Sequence, residues 1–274
     1  MKVLVEEVTC KSALTGSGGS YRLNPYVGCE HRCVYCYATY IARWRGKSGP
    51  WGSWVQAKTN VAERLARELT RRKGIHVFLS TVCDVYQPVE RKYELTRQCL
   101  SVLCEAAQKD AALDILLLTK SDLVRRDADL LAAFPTGTLR VAFSITTSQD
   151  AVAALFETAS APPSRRLAAA RALKEAGVRV GMHINPILPY VTERDLPALI
   201  GSAEEYGLDS VGFDTLHYLN AHVGGKVRRV YEQLGEEART RLEQARDDPA
   251  YERELRRLVK QLTTGRGFAV EAYF

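Results

Sequence analysis

From residue 61 to 219 the sequence alternates amphipathic helical stretches with short apolar runs, and this alternation constrains the fold more than any other feature. VAERLARELTRRKG (61–74) carries apolar residues at helical spacing and ends on glycine, a helix-stop signal. IHVFLSTV (75–82) follows as a strand. The spacing then predicts helix over 93–110, strand over 113–121, helix over 128–134, strand over 139–147, helix over 164–177, strand over 178–189, helix over 196–207 and strand over 210–219. Strands that are apolar along their length and separated by helices predict an α/β fold: a parallel sheet covered by helices, as a full or partial β/α barrel.

The polar residues of these strands gather at one end. Ser80, Thr81, Cys83 and Asp84 close the first; Thr119, Lys120 and Ser121 the second; Ser144, Thr146 and Thr147 the third; His183 and Asn185 the fourth; Asp214 and His217 the fifth. Active sites of parallel sheets and barrels lie at the carboxyl ends of the strands, which are the positions named. Strand ends also meet water, and polarity there has that plainer reading.

A chain of 274 residues suits one large core with appendages. Residues 1–22 are expected as an N-terminal extension, 23–220 as the barrel core, and 221–274 as a helical appendage whose tail, FAVEAYF (268–274), alternates like a short strand. GKSGPWGSW (46–54) reads as a loop. No run approaches the length of a membrane span, and MKVLVEEVTC lacks the basic and then apolar pattern of a signal peptide, so a cytoplasmic location and no membrane partner are expected. The formal charge of +6 fits anionic partners, nucleic acid among them, although RRK (71–73) and KVRR (226–229) also suit solvated helix faces.

Seven cysteines without an export signal argue for reduced thiols rather than a disulfide framework. Cys29, Cys33 and Cys36 stand in NPYVGCEHRCVYCYATY (24–40) with the spacing C-x3-C-x2-C. Zinc is one reading, completed by His31 or a distant ligand, but no second paired knuckle exists. A [4Fe–4S] cluster is the favoured reading: three thiolates hold three irons and leave the fourth open to an exogenous ligand. Cys10, Cys83, Cys99 and Cys104 lack cluster-like spacing, and Cys99 and Cys104 read as packing residues of the 93–110 helix.

CEHRCVYC resembles the cluster motif of the radical S-adenosylmethionine enzymes, including the aromatic Tyr35 before the last cysteine. The resemblance implies a partial (β/α)6 barrel, a [4Fe–4S] cluster on Cys29, Cys33 and Cys36, and S-adenosylmethionine on the open iron. It also implies a reducing donor of flavodoxin or ferredoxin type and a 5′-deoxyadenosyl radical that abstracts hydrogen from a substrate. STVCDVYQPVERKYELTR, LTKSDLVRRD, FSITT and INPILP extend the likeness to the group related to spore photoproduct lyase, which implies that Lys120, Ser121, Ser144 and Arg166 line the S-adenosylmethionine pocket and that Tyr37 relays hydrogen atoms. Lys120, a cation ending a buried strand, requires an anion, either the cofactor carboxylate or Asp122 or Asp127.

That group's hydrogen-donor cysteine falls three residues before an aspartate. Here the position is Thr81, while Cys83 directly precedes Asp84. Either Cys83 delivers hydrogen from a shifted place or the reaction departs from lesion reversal, the second being favoured. Glu90 is read as orienting substrate or pairing with Arg97. Tyr26, Trp44, Trp51 and Trp54 are read as base-stacking residues or as core. A nucleotide or nucleic acid leads as substrate over a peptide or small metabolite, and a non-catalytic iron–sulfur or zinc protein is the alternative class.

Overall fold

The computed structural model describes residues 3–47, 49–217, 223–248 and 250–274. The chain opens with β1 (Leu4–Val8), β2 (Leu14–Ser17), β3 (Ser20–Leu23) and β4 (Tyr26–Val27), then a 3-10 turn (Tyr37–Tyr40) running into α1 (Ile41–Trp44). β5 (Trp54–Lys58), α2 (Val61–Leu69), β6 (His76–Leu79), α3 (Glu90–Tyr93), α4 (Leu95–Ala107) and β7 (Asp114–Thr119) follow. After a second 3-10 segment come α5 (Ala128–Ala132), β8 (Leu139–Ser144), α6 (Asp150–Phe156), α7 (Pro163–Glu175), β9 (Val180–Ile187), α8 (Val191–Glu205) and β10 (Ser210–Thr215). α9 (Gly224–Leu234), α10 (Glu236–Asp247), α11 (Tyr251–Thr263) and β11 (Ala269–Ala272) complete the chain.

The main sheet has the order β11-β10-β9-β8-β7-β6-β3-β2. β3 and β6 to β10 are parallel throughout and form the six strands of a partial β/α barrel. β11 adds in parallel beside β10, and β2 pairs antiparallel with β3 at the other edge. A smaller sheet joins β5 to β1 in parallel and to β4 antiparallel.

The apolar runs conceal an alternation. Val77, Leu79, Ile115, Leu117, Val141, Phe143, Val180, Met182, Ile184, Val211 and Phe213 are wholly buried, at every second position along their strands. Their side chains point to the helical shell, where α4 buries Leu95, Cys99, Leu100 and Leu103. The intervening positions belong to the opposite face, the lumen, which turns polar toward the carboxyl ends at Ser80, Lys120, Ser144, Asn185 and Asp214.

Residues 1–22, expected as an extension, instead supply β1 to the small sheet and β2 and β3 to the main one. β2 and β3 are joined by Gly18 and Gly19, with φ of 61° and 83°, the conformation of a two-residue hairpin turn. The expected loop over 46–54 gives way to β5 at Trp54. The appendage is helical and ends in the expected strand, but it is integral: Val227, Val230 and Tyr231 of α9 join Tyr35, Phe156 and Leu188 in one apolar cluster. The expected boundary at 220/221 and residues 218–219 of the last barrel strand lie outside the described residues. No described helix is long and apolar enough to cross a membrane.

Candidate active site

The carboxyl ends of the barrel strands and the segment after β4 enclose a cavity of about 400 Å³. Its lining includes Cys29, Cys33, Cys36, Tyr35, Tyr37, Cys83, Asp84, Lys120 and Ser144. The polar strand ends Ser80, Thr81, Asn185, Asp214 and His217 also line it.

Gly28 starts the cysteine loop at φ 88°, and a Cβ there would meet the Trp54 carbonyl oxygen at 2.6 Å. Only glycine lets the chain pass so close to β5. The loop is then tied down on two sides. The Cys36 N–H donates to the Cys33 carbonyl at 3.1 Å, and the Val34 N–H donates to the Phe156 carbonyl at 2.8 Å.

The other side is the segment after β6. Ser80 has φ 74°, an uncommon conformation for a residue with a Cβ, and turns the chain back along the cysteine loop. Asn24 Nδ2 donates to Thr81 Oγ1 at 2.8 Å, Gln87 Nε2 to the Gly28 carbonyl at 3.1 Å, and the Glu30 N–H to Gln87 Oε1 at 2.9 Å. The Asp84 N–H donates to Cys29 Sγ at 3.4 Å, while the Asp84 carboxylate accepts from Thr119 Oγ1 at 2.8 Å and the Lys120 N–H at 2.6 Å. One residue therefore couples the cysteine loop to the ends of β6 and β7.

Burial raises the pKa of all three loop thiols, that of Cys29 well above the ordinary value. Such thiols lose their protons when a cation takes the proton's place, which is the chemistry of metal ligands. Among the described residues no three His, Cys, Asp or Glu side chains converge tightly enough to hold one metal ion. The three thiols around a shared cavity suit a multi-iron body better than a single zinc ion.

Behind the loop lies a buried network centred on Glu157, whose side chain is fully enclosed. Arg166 and the Tyr35 hydroxyl both donate to its carboxylate. Lys120 Nζ lies 3.5 Å from Glu157 Oε1, donates to Ser144 Oγ, and sits 5.6 Å from the Tyr35 ring centroid. Burial alone would raise the Glu157 pKa, but the charges of Arg166 and Lys120, with the hydrogen bonds, outweigh it and hold the group at about 2. The anion that Lys120 requires is thus supplied by Glu157. Asp122 pairs with Arg165, and Asp127 with Arg97 and Arg126.

Lys120 and Ser144 are on the cavity wall. Arg166 is not: fully buried, it donates to the Ser144 carbonyl at 2.9 Å and to Ser160 Oγ at 2.8 Å, supporting the wall from behind. Ser121 also falls outside the lining and caps the following 3-10 segment, accepting from the Leu123 N–H at 3.2 Å. Cys83 faces the cavity, with its thiol donating to the Tyr26 carbonyl at 3.4 Å and its pKa pushed up to about 12 by burial. Tyr37, 41% exposed, donates to the Thr81 carbonyl. Glu90 is enclosed and pairs with Arg126 at 2.9 Å rather than with the Arg97 side chain, so it holds structure together away from the cavity. Tyr26, Trp51 and Trp54 are core, and Trp44 is 85% exposed.

A six-stranded parallel partial barrel with three cysteines on the loop after its first strand defines a class of iron–sulfur radical enzymes. The chain belongs to the Radical SAM superfamily, whose family model matches residues 23–203. The cofactors are accordingly a [4Fe–4S] cluster and S-adenosylmethionine. An uncharacterized protein of Methanocaldococcus jannaschii is 30% identical over 216 residues, 79% of this chain and 76% of that one. Among solved structures, a spore photoproduct lyase mutant with dinucleoside spore photoproduct superposes with a TM-score of 0.68 at 19% identity, over 99% of this chain and 81% of that one. SuiB of Streptococcus suis bound to precursor peptide SuiA gives 0.64 at 13% identity, over 95% of this chain and 50% of that one.

Proposed function

We propose that this radical S-adenosylmethionine enzyme acts on a nucleotide or nucleic acid, with Cys29, Cys33 and Cys36 holding the cluster. The observation that carries the reading is one cavity lined by three thiols, the Lys120 ammonium and the Ser144 hydroxyl. When bound, the cluster and S-adenosylmethionine supply one-electron cleavage of the sulfonium and a fragment that abstracts hydrogen. Lys120, which lies beside Glu157 and donates to Ser144 Oγ, would present its ammonium to the cofactor's carboxylate. Arg166 holds Glu157 and the Ser144 main chain in place.

Tyr37 at the cavity mouth and Cys83 on its wall are the proposed hydrogen-transfer residues. The +6 charge supports an anionic substrate. All seven cysteines are free, which suits a reducing cytoplasm and a donor of flavodoxin or ferredoxin type. The substrate reading is tested by measuring 5′-deoxyadenosine formation by the reconstituted enzyme with added mononucleotides, single-stranded DNA, RNA or peptide mixtures. Stimulation by a nucleotide or nucleic acid is expected. Stimulation by peptides alone would overturn the substrate class.

A further inference from the structure

Three of the large hydrophobic side chains left exposed on the described surface lie within eight residues of Cys36: Tyr37 at 41%, Tyr40 at 39% and Trp44 at 85%. Tyr40 and Trp44 stand one helical turn apart with ring centroids 6.2 Å from each other and planes crossed at 73°. They are not overflow from the core, since Trp51 and Trp54 form their own buried edge-to-face pair. An exposed pair of aromatic rings near a cavity is the kind of surface that a partner covers.

The surroundings favour a polyanion. Residues 31–62 contain Arg32, Arg43, Arg45, Lys47 and Lys58 and no Asp or Glu. Lys47 is engaged by Glu6, and Lys58 donates to the Asn24 carbonyl at 2.7 Å. Arg45, next to Trp44, is exposed. Tyr37, which lines the cavity, and Tyr40 stand at the two ends of one 3-10 turn, so the pair begins one turn from the cavity. Exposed rings beside a cation suit stacked bases, as in single-strand binders.

We propose that Tyr40 and Trp44 form a stacking ledge for a single-stranded nucleic acid, with Arg45 against its phosphates and the adjoining nucleotide carried past Tyr37 into the cavity. The proposal rests on the nucleic-acid reading of the substrate.

The test is fluorescence anisotropy of dye-labelled, mixed-sequence single-stranded DNA and RNA twelve-mers with the anaerobically reconstituted protein at two salt concentrations. Trp44→Ala should weaken binding by about five-fold or more and Trp44→Phe should restore most of it. Arg45→Ala should lower the salt slope by about one. Wild-type binding unchanged in Trp44→Ala and in the Tyr40→Ala/Trp44→Ala double variant would overturn the ledge and leave the substrate reading standing. No binding of either oligonucleotide by the wild type would overturn the ledge and the nucleic-acid part of the substrate reading, and 5′-deoxyadenosine formation with mononucleotides would then decide the rest. Unchanged oligonucleotide binding together with loss of flavodoxin-supported, but not dithionite-supported, 5′-deoxyadenosine formation in Trp44→Ala would reassign the surface to an acidic electron donor.

Discussion

The main-chain N–H of Asp84 donates to the sulfur of Cys29 at 3.4 Å. The same residue's carboxylate accepts from the Tyr86 N–H at 2.9 Å, the Thr119 hydroxyl at 2.8 Å and the Lys120 N–H at 2.6 Å. Removing that carboxylate should let the segment after β6 drift from the cysteine loop. Asp84→Ala is expected to retain iron roughly ten-fold or more weakly, the usual cost of losing an outer partner of a metal ligand. Chelator competition followed by iron analysis measures this, and circular dichroism verifies folding.

Glu157 neutralises two buried or half-buried cations, and Glu157→Gln leaves them uncompensated. Breaking such a pair typically costs about 3–5 kcal/mol, visible as a lower midpoint in urea. Arg165→Ala, which breaks a surface pair with Asp122, should cost about 1 kcal/mol or less. Equal effects would show that burial is not what gives Glu157 its weight.

Lys120→Met should weaken S-adenosylmethionine binding to the reconstituted protein by about thirty-fold or more, the cost of truncating one partner of a desolvated charge pair. Equilibrium dialysis with labelled S-adenosylmethionine reads the change directly. Unaltered binding would remove Lys120 from the cofactor site.

His183 predicts a pH dependence of stability. Neither ring nitrogen has a hydrogen-bond partner among the described residues, and Tyr273 packs beside it with ring centroids 5.6 Å apart. Burial, opposed by Glu271 and Asp214 and reinforced by Arg140 and Lys120, lowers its pKa to about 4. Below the unfolded value of about 6.5 the unfolded chain binds this proton and the folded one does not, so stability is full above that pH and falls as the pH drops toward 4. The loss attributable to this group is about 3 kcal/mol over that window. Urea unfolding at several pH values should show the fall in the wild type and a shallower one in His183→Gln.

The barrel was legible because its strands are buried on the helix side and its helices are amphipathic, so both periods survive in the sequence. β1 and β2 were not, since LVEEV and LTGS are short and half exposed and carry no apolar run. The GG between two alternating segments was the available hairpin signal. α6 was missed for its brevity: seven residues offer barely two turns of periodicity. In the site, the cysteine spacing stood out because it is local. Glu157 did not, because its partners Tyr35, Lys120 and Arg166 are brought to it by the fold. Lys120 demanded an anion, but the sequence offered only the cofactor carboxylate or the neighbours Asp122 and Asp127. The same distance in sequence hid that Arg166 stands behind the wall it was expected to form.

Three thiols and Lys120 around one cavity are proposed to hold the cluster and S-adenosylmethionine. The most direct test is to reconstitute the protein anaerobically with iron and sulfide, add dithionite and S-adenosylmethionine, and quantify 5′-deoxyadenosine. The wild type should form it, while a Cys29→Ala/Cys33→Ala/Cys36→Ala variant should bind no cluster and form none. Equal iron content and equal product from the two proteins would contradict the assignment.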